Sequence, residues 1–145
     1  MRVDFYQLGG TAPAAALAQI AQATLVAGGR LLAVSSDDAQ LAVISDALWS
    51  RTPASFLAHG LAGGPHDARQ PILLAGTVEP ANGATYLCLA DGRWRDEAEG
   101  FARVFLLFDA ATLDDARGTW RMLGERDAVE RRFWKQDDGK WVEGP

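Results

Sequence analysis

The sequence predicts an α/β protein of three layers, in which helices cover both faces of a mostly parallel, mixed sheet. Three observations predict this fold class. Short β-prone segments alternate with helical segments, glycines or capping residues mark their boundaries, and several strands are continuous apolar runs. A strand–helix–strand–helix order favours parallel strands joined by right-handed crossovers. No internal repeat or linker divides the chain, so we expect one domain, residues 1–145.

The first strand and helix are predicted from the N-terminal segment. Val3–Leu8 is short and β-prone, and two glycines follow it. Thr11 is predicted to cap the next helix, with Pro13 in its first turn, because threonine accepts well at a helix start and proline needs no N–H there. Apolar residues then recur at helical spacing until Gly28 and the next glycine end the helix.

A second strand and helix follow directly. Arg30–Ser35 is predicted as a buried strand. Asp37 and Gln40 have the spacing of a capping box, which predicts the start of a helix that continues to about Ser50. The predicted buried face of this helix carries Leu41, Ile44 and Leu48.

The second half of the chain alternates loops and strands. Residues 51–70 are rich in glycine, proline and alanine, carry both histidines and are predicted as a long loop. The predicted elements after it are strands at Ile72–Ala75, Thr85–Leu89 and Val104–Phe108, a short helix at Asp96–Gly100, a helix with Leu113, Ala116, Trp120 and Leu123 on one face, and a hairpin of Arg131–Lys135 with Lys140–Val142 that turns at Asp137-Asp138-Gly139.

Charge and composition restrict the classes of function. The net charge of −5 makes the protein a poor general binder of phosphate backbones, so we expect any link to DNA to be indirect, through a partner protein. Half of the fourteen basic residues nevertheless lie between Arg117 and Lys140. The single cysteine, Cys88, is predicted to be a buried apolar residue and fits a reducing compartment. No run approaches the ~20 apolar residues of a membrane span, so we expect a cytoplasmic protein without a membrane partner.

Signatures of enzyme or cofactor sites are missing from the sequence. The turn at Gly9-Gly10 has neither the glycine spacing of a dinucleotide site nor the lysine of a P-loop. His59 and His66 do not match a zinc pattern and are predicted to pack within the loop. No serine nucleophile motif or acid–base pair of carboxylates is present. We therefore expect no catalytic residue, metal or cofactor; a small α/β enzyme or nucleotide-binding protein is the alternative.

Arg117 is the most informative candidate for a binding residue. It lies four residues after Leu113 and three before Trp120, so the three side chains are neighbours on one flank of the predicted helix. An arginine beside an apolar face can bind a carboxylate while the surrounding side chains hold an apolar group. The alternative is an ion pair with Asp114, with Trp120 in the core. The periodicity leaves both interpretations open.

Several segments together resemble one known family over nearly the whole chain. They are the opening Val3-Asp4-Phe5-Tyr6, the helix end Ala47-Leu48-Trp49-Ser50-Arg51, the block Ser55-Phe56-Leu57-Ala58-His59-Gly60-Leu61-Ala62-Gly63, and the close Phe133-Trp134-Lys135-Gln136-Asp137-Asp138-Gly139-Lys140-Trp141. The block from Leu-Trp-x-Arg to Phe-x-x-His-x-Leu is the most specific. On these residues the sequence resembles the chi subunit family of bacterial DNA polymerase III.

This resemblance implies a three-layer, Rossmann-like fold and an adaptor without enzymatic activity. Members of the family act within the polymerase III holoenzyme. They bind the extreme C-terminal tail of single-stranded-DNA-binding protein, an acidic peptide that ends in an aromatic residue. In many bacteria they also bind the psi subunit, which tethers them to the clamp loader. An interaction domain of the same fold with a different partner peptide is a further alternative.

The resemblance also implies site residues. The tail-binding arginine of the family corresponds to Arg117 and the following aromatic residue to Trp120. A second basic position corresponds to Leu113, where this sequence departs from the family, and Arg121, one turn after Arg117, is the candidate to compensate. The preceding strand supplies a pocket wall at about Leu106. The aromatic residue that contacts psi, or another clamp-loader subunit, corresponds to Phe56, with Trp49 nearby.

Overall fold

The computed structural model describes residues 1–50, 57–137 and 140–144. Within these ranges the strands are β1 (Arg2–Gln7), β2 (Leu31–Val34), β3 (His59–Leu61), β4 (Ile72–Ala75), β5 (Tyr86–Leu89), β6 (Arg103–Phe108), β7 (Glu130–Asp137) and β8 (Lys140–Glu143). The helices are α1 (Pro13–Val26), α2 (Asp38–Ser50) and α3 (Leu113–Gly124), with 3₁₀ turns at Asp67–Arg69 and Asp96–Gly100. The strands form one sheet in the order β3-β4-β2-β5-β6-β1-β7-β8.

All neighbouring strands are parallel except β7 and β8, which form an antiparallel hairpin. One core lies between the sheet and helices α1 and α2 and includes Leu17 and Ile44. The second core lies on the opposite face, against α3, and includes Leu106 and Leu123. The predicted three-layer α/β/α class with a mixed, mostly parallel sheet is therefore confirmed.

The predicted cap of α1 is wrong. The helix begins at Pro13, the capping position is Ala12 with an extended backbone (φ −68°, ψ 143°), and no side chain accepts a hydrogen bond there. Thr11 lies one residue too early to reach the free N–H groups of the first turn. Proline reduces the need for a cap, because it removes one of those donors itself. At the other end Gly28 has a φ of +82°, as predicted for a glycine stop.

The predicted capping box of α2 is half correct. Asp37 Oδ1 accepts a hydrogen bond from the Ala39 N–H at 2.9 Å, which caps the first turn. Gln40 does not bond back to Asp37. Its Nε2 instead donates to the Ala90 carbonyl at 3.0 Å, while its Oε1 accepts from the Ser35 hydroxyl. Gln40 thus connects the ends of two strands that the local sequence could not show to be adjacent.

The segment predicted as one long loop contains an additional strand. β3 is only three residues long and pairs in parallel with β4 at the edge of the sheet. Such a short strand has no detectable periodicity. Gly60 in its centre permits close packing, because a Cβ there would lie 2.9 Å from Gln70 Cδ. Cys88 is fully buried, as predicted, and burial raises the pKa of its thiol. The predicted hairpin turn at Asp138-Gly139 lies outside the described residues.

Asp4 is a fully buried carboxylate in the centre of the sheet, on β1. It accepts hydrogen bonds from Arg2 Nη2 at 2.9 Å, from Arg103 Nε at 2.9 Å and from the Trp134 indole N–H at 2.9 Å. The three donors come from β1, β6 and β7, so Asp4 connects three adjacent strands. A buried carboxylate is tolerated only with such compensation.

Candidate functional site

A cavity of about 230 Å³ lies between α3 and the sheet. It is called the α3 cavity below. Its lining consists of Phe5, Gln7, Phe108, Leu113, Ala116, Arg117, Trp120 and Phe133. The structure thus brings Leu113, Arg117 and Trp120 together at one cavity, as their helical spacing predicts. Apart from Ala116 of α3, the rest of the wall is mainly aromatic and comes from β1, β6 and β7.

Trp120 is held firmly as one wall of this cavity. Its ring lies edge-on against Phe5, with 5.1 Å between the ring centroids and 75° between the planes. The guanidinium of Arg131 lies 4.3 Å from the centroid of the same ring, and Arg131 Nη1 donates to the Trp120 carbonyl at 2.8 Å. Arg131 therefore binds both the ring and the backbone of Trp120. The indole is only partly exposed, so it contributes to the core and to the cavity.

Arg117 is exposed at the cavity and has no competing partner within the described residues. It makes no hydrogen bond or ion pair there, so the alternative pairing with Asp114 is not formed. An unpaired guanidinium beside apolar walls can bind an anionic group without first breaking an internal ion pair.

Further cations surround the cavity. Arg131, Phe133 and Lys135 alternate along β7 and therefore share one face of the sheet. Lys135 is in register with Gln7, which lines the cavity. We call Arg117, Arg131 and Lys135 the basic rim. No acidic side chain lines the cavity within the described part of the chain, so this surface is locally basic although the net charge is −5.

Two of the expected site residues lie elsewhere. Leu106 is fully buried beside Phe5, its partner in register, and cannot contact a ligand. The strand contributes its wall two residues later, at Phe108, which is the last residue of β6 and lines the cavity. Arg121 is exposed on the next turn of α3 but does not line the cavity. It therefore does not occupy the position left by Leu113.

The second expected surface lies at the opposite edge of the sheet. Trp49, near the end of α2, is 52% exposed, and its ring centroid lies 4.5 Å from that of His59. His59 is itself buried: Nδ1 donates to the Leu57 carbonyl at 2.9 Å, and the Ser45 hydroxyl donates to Nε2 at 2.9 Å. His59 packs as predicted, although in strand β3 rather than in a loop, and it supports the tryptophan; His66, also predicted to pack, is exposed. Phe56 lies outside the described residues.

Sequence reasoning missed most of the cavity wall. Phe5, Phe108 and Phe133 come from three strands that are far apart in the chain and adjacent in the sheet. The alternation of side chains along β7 was the available signal, because it places Phe133 on the same face as Arg131. Using it required the parallel pairing of β7 with β1, which no local pattern encodes.

No group of three His, Cys, Asp or Glu side chains lies close enough to hold a metal ion within residues 1–50, 57–137 and 140–144. In the same ranges, the helices are too short or too polar to span a bilayer.

Comparison with known proteins covers most of the chain. The model of the family described as "DNA polymerase III chi subunit, HolC" matches residues 1–131 of the 145. The match includes every element from β1 to α3 and ends near the start of β7. None of the curated proteins matches the chain. Phe133 and Lys135 therefore belong to a C-terminal hairpin beyond the matched range.

Proposed function

Because the chain belongs to the DNA polymerase III chi subunit family, we propose that it bridges the clamp loader to single-stranded-DNA-binding protein during replication. In this role it is an accessory subunit of the bacterial polymerase III holoenzyme without catalysis of its own. It acts as one cytoplasmic domain, and DNA is reached only through its partners.

The α3 cavity carries the proposal for the single-stranded-DNA-binding protein. The tail of that partner supplies an aromatic ring and a terminal carboxylate. Apolar walls such as Phe108 and Trp120 suit the ring, and the guanidinium of Arg117 suits the carboxylate, because arginine presents parallel N–H donors to two oxygens. A cavity of about 230 Å³ has room for one terminal residue rather than for a folded segment.

The basic rim extends the same interaction to the acidic residues that precede the terminus. Arg131 and Lys135 lie on the face of β7 that borders the cavity, and no acidic side chain lines it within the described residues. The net charge of −5 opposes long-range attraction of an acidic peptide. We therefore expect modest affinity that falls as salt is added.

Fluorescence anisotropy of a labelled tail peptide tests this site. Arg117→Ala should weaken binding by about 2 kcal/mol, because it removes the charge-assisted contact to the terminal carboxylate. Arg69→Ala, which removes an exposed arginine from the 3₁₀ turn Asp67–Arg69, is the matched control and should bind normally. Equal affinities of folded Arg117→Ala and wild-type protein would exclude this cavity as the tail site.

The clamp-loader contact is proposed for the exposed surface at Trp49; the family resemblance adds Phe56, which lies outside the described residues. The supporting observation is that Trp49 is 52% exposed although a buried histidine packs against it, so the fold positions the ring and leaves part of it accessible. An exposed aromatic anchor at an interface commonly contributes about 2 kcal/mol or more.

Binding of purified psi, or of the clamp-loader complex where psi is absent, tests whether Trp49 contacts the partner or only packs within the fold. Trp49→Ala should weaken this binding, whereas Val43→Ala should not. Val43 is a fitting control because it is 60% exposed on the same helix but points in another direction. Loss of thermal stability with unchanged binding in Trp49→Ala would contradict the proposed contact.

A further inference from the structure

A second cavity, of about 250 Å³, lies on the other face of the sheet, beside the C-terminal half of α1. We call it the α1 cavity. Its walls are formed largely by the aromatic residues Tyr6, Tyr86, Phe105 and Trp141. Trp141 is fixed at the rim, since its indole N–H donates to Gln19 Oε1 at 2.8 Å. The proposed bridging function makes no use of this cavity.

Arg103 gives the α1 cavity a positioned cation. Its Nε donates to Asp4 Oδ2 at 2.9 Å, and its guanidinium carbon lies 4.6 Å from the centroid of the Phe105 ring. Asp4 is fully buried, so this contact is part of the core. Within the described residues neither Nη1 nor Nη2 of Arg103 donates a hydrogen bond. The fold therefore holds the guanidinium in place, and its two terminal nitrogens, Nη1 and Nη2, remain available as donors to a ligand.

The surrounding charges limit the ligand to one anionic group. Asp4 is shared by Arg2 and Arg103, and Arg2 also lies 3.8 Å from Glu130, so Arg103 is the one cationic side chain that lines the cavity within the described residues. The next arginine on this face, Arg132, already lies 3.4 Å from Glu130 and 3.9 Å from Glu143. A phosphate backbone needs a row of uncompensated cations, and this face does not offer one.

The aromatic walls carry polar groups of their own. Burial, the largest cause, raises the pKa of Tyr6 to about 12, so its hydroxyl remains a donor at neutral pH. Gln19 uses its oxygen for Trp141, and its amide N–H groups are left for another acceptor. A heteroaromatic ring with nitrogen and oxygen acceptors suits these donors better than a hydrocarbon ring, which would leave them unpaired.

From this geometry we propose that the α1 cavity binds a nucleoside monophosphate. The base lies against the rings of Tyr6 and Trp141, where stacking accepts any base. The phosphate lies on the outer donors of Arg103. A cavity of about 250 Å³ encloses one base and leaves the sugar near solvent. The site is separate from the glycine turn after β1, whose sequence lacks the phosphate-binding spacing.

Calorimetric titration of the full chain with AMP, GMP, CMP and UMP tests this site. We expect saturable binding of at least one of them. The corresponding nucleoside without phosphate should bind about tenfold more weakly or worse, because the contact to Arg103 is lost. Inorganic phosphate alone should not bind over the same range. An oligonucleotide with a 5′-phosphate identifies the source: binding equal to the mononucleotide indicates a strand end, and weaker binding indicates a free nucleotide.

Three variants complete the test. Arg103→Gln should weaken nucleotide binding about tenfold or more. Trp141→Leu removes a wall at the sheet edge without touching Asp4, so its loss of binding does not depend on the buried ion pair. Arg117→Ala, on the other face, should bind nucleotide normally, which separates this site from the α3 cavity. The proposal is overturned if no mononucleotide binds, if phosphate alone binds as well, if an aromatic carboxylate binds in its place, or if binding survives both Arg103→Gln and Trp141→Leu.

Discussion

The two faces of the sheet at β1 present arginines in contrasting states. On the α3 side Arg117 is exposed and has no partner within the described residues. On the α1 side Arg103 is bound through Nε to the buried Asp4 and rests on Phe105. Both side chains border a cavity with aromatic walls.

The difference lies in what each arginine contributes to folding. An exposed arginine without a partner adds little to stability, so it can be lost at small cost to the fold. An arginine paired with a buried carboxylate cannot be lost at small cost, because the carboxylate would remain as a buried charge without compensation. We infer that Arg117, on the α3 side, was free to specialise for binding. A ligand on the α1 side would instead bind Arg103, which the fold already requires.

The strongest test of this contrast is removal of the buried carboxylate. Asp4→Ala leaves Arg2, Arg103 and the indole of Trp134 without their shared acceptor. We expect a loss of about 3–5 kcal/mol in the free energy of unfolding, measured in urea. Asp46→Ala, which removes an exposed aspartate from α2, is the control and should change it by less than about 0.5 kcal/mol. A similar small loss for Asp4→Ala would mean that the paired arginines are not part of the fold.

Trp120→Ala comes next, because Trp120 belongs to the core and to the α3 cavity together. The ring packs against Phe5 and under Arg131, but it is partly exposed. We expect a loss of about 2–3 kcal/mol of stability, below that of a fully buried tryptophan, together with weaker binding of the tail peptide.

Trp120→Phe separates the two contributions. It keeps an aromatic wall for the peptide while it shortens the ring that Arg131 covers. Stability should therefore fall by less than in Trp120→Ala, and peptide affinity should be largely retained. If Trp120→Ala lowers stability alone, the ring is only a core residue.

The contrast also separates what the sequence could predict from what it could not. Leu113, Arg117 and Trp120 were predicted as neighbours because helical geometry fixes the relation of residues three and four apart. The Asp4 network was not predicted, since Asp4 meets Arg103 and Trp134 across 99 and 130 residues. The β–α order of the chain predicted the fold class. The order of strands in the sheet, and therefore the walls of both cavities, depends on packing that no local pattern contains.

Local patterns likewise failed at two helix starts. Thr11 and Gln40 both fitted capping patterns, yet proline reduced the need for the first cap and Gln40 bonds to a neighbouring strand instead. The family correspondence predicts a pocket wall at about Leu106, but Leu106 is fully buried in the core, and Phe108, on the same face at the end of β6, lines the cavity instead.

The pair of Asp91 and Arg95 extends the comparison to an arginine held near the surface. Burial alone would raise the pKa of Asp91, but hydrogen bonds from Arg95 and the Ser36 N–H lower it to about 2. The folded pKa lies below the unfolded value of about 3.9, so the pair stabilises the protein above about pH 4. This stabilisation is lost as the pH falls toward about 2.

Urea unfolding of Asp91→Asn at several pH values measures this contribution. We expect a loss of about 1–2 kcal/mol near neutral pH, reduced from the full linkage value because solvent screens the partly exposed pair. The difference from wild type should shrink as the solution is acidified below about pH 4. A difference that stays constant with pH would show that the effect is not due to the charge of Asp91. Asp46→Asn should be indistinguishable from wild type throughout.

The smallest expected effect is that of Arg121→Ala, which tests whether proximity alone makes an unpaired arginine useful. Arg121 is exposed on α3, makes no hydrogen bond or ion pair within the described residues and does not line the α3 cavity. It can therefore act on the tail peptide only through long-range attraction. Its position near the helix C-terminus contributes about 0.3–1 kcal/mol to folding stability at low salt. We expect peptide affinity to fall by a factor of about two at low salt and to be unchanged above physiological ionic strength, where the screening length is about 8 Å. Arg117→Ala should remain defective at both salt concentrations, because direct contacts are screened much less. Anisotropy titrations of both variants at the two salt concentrations decide the matter: a large, salt-resistant defect in Arg121→Ala would mean that this arginine does contact the tail and compensates for Leu113.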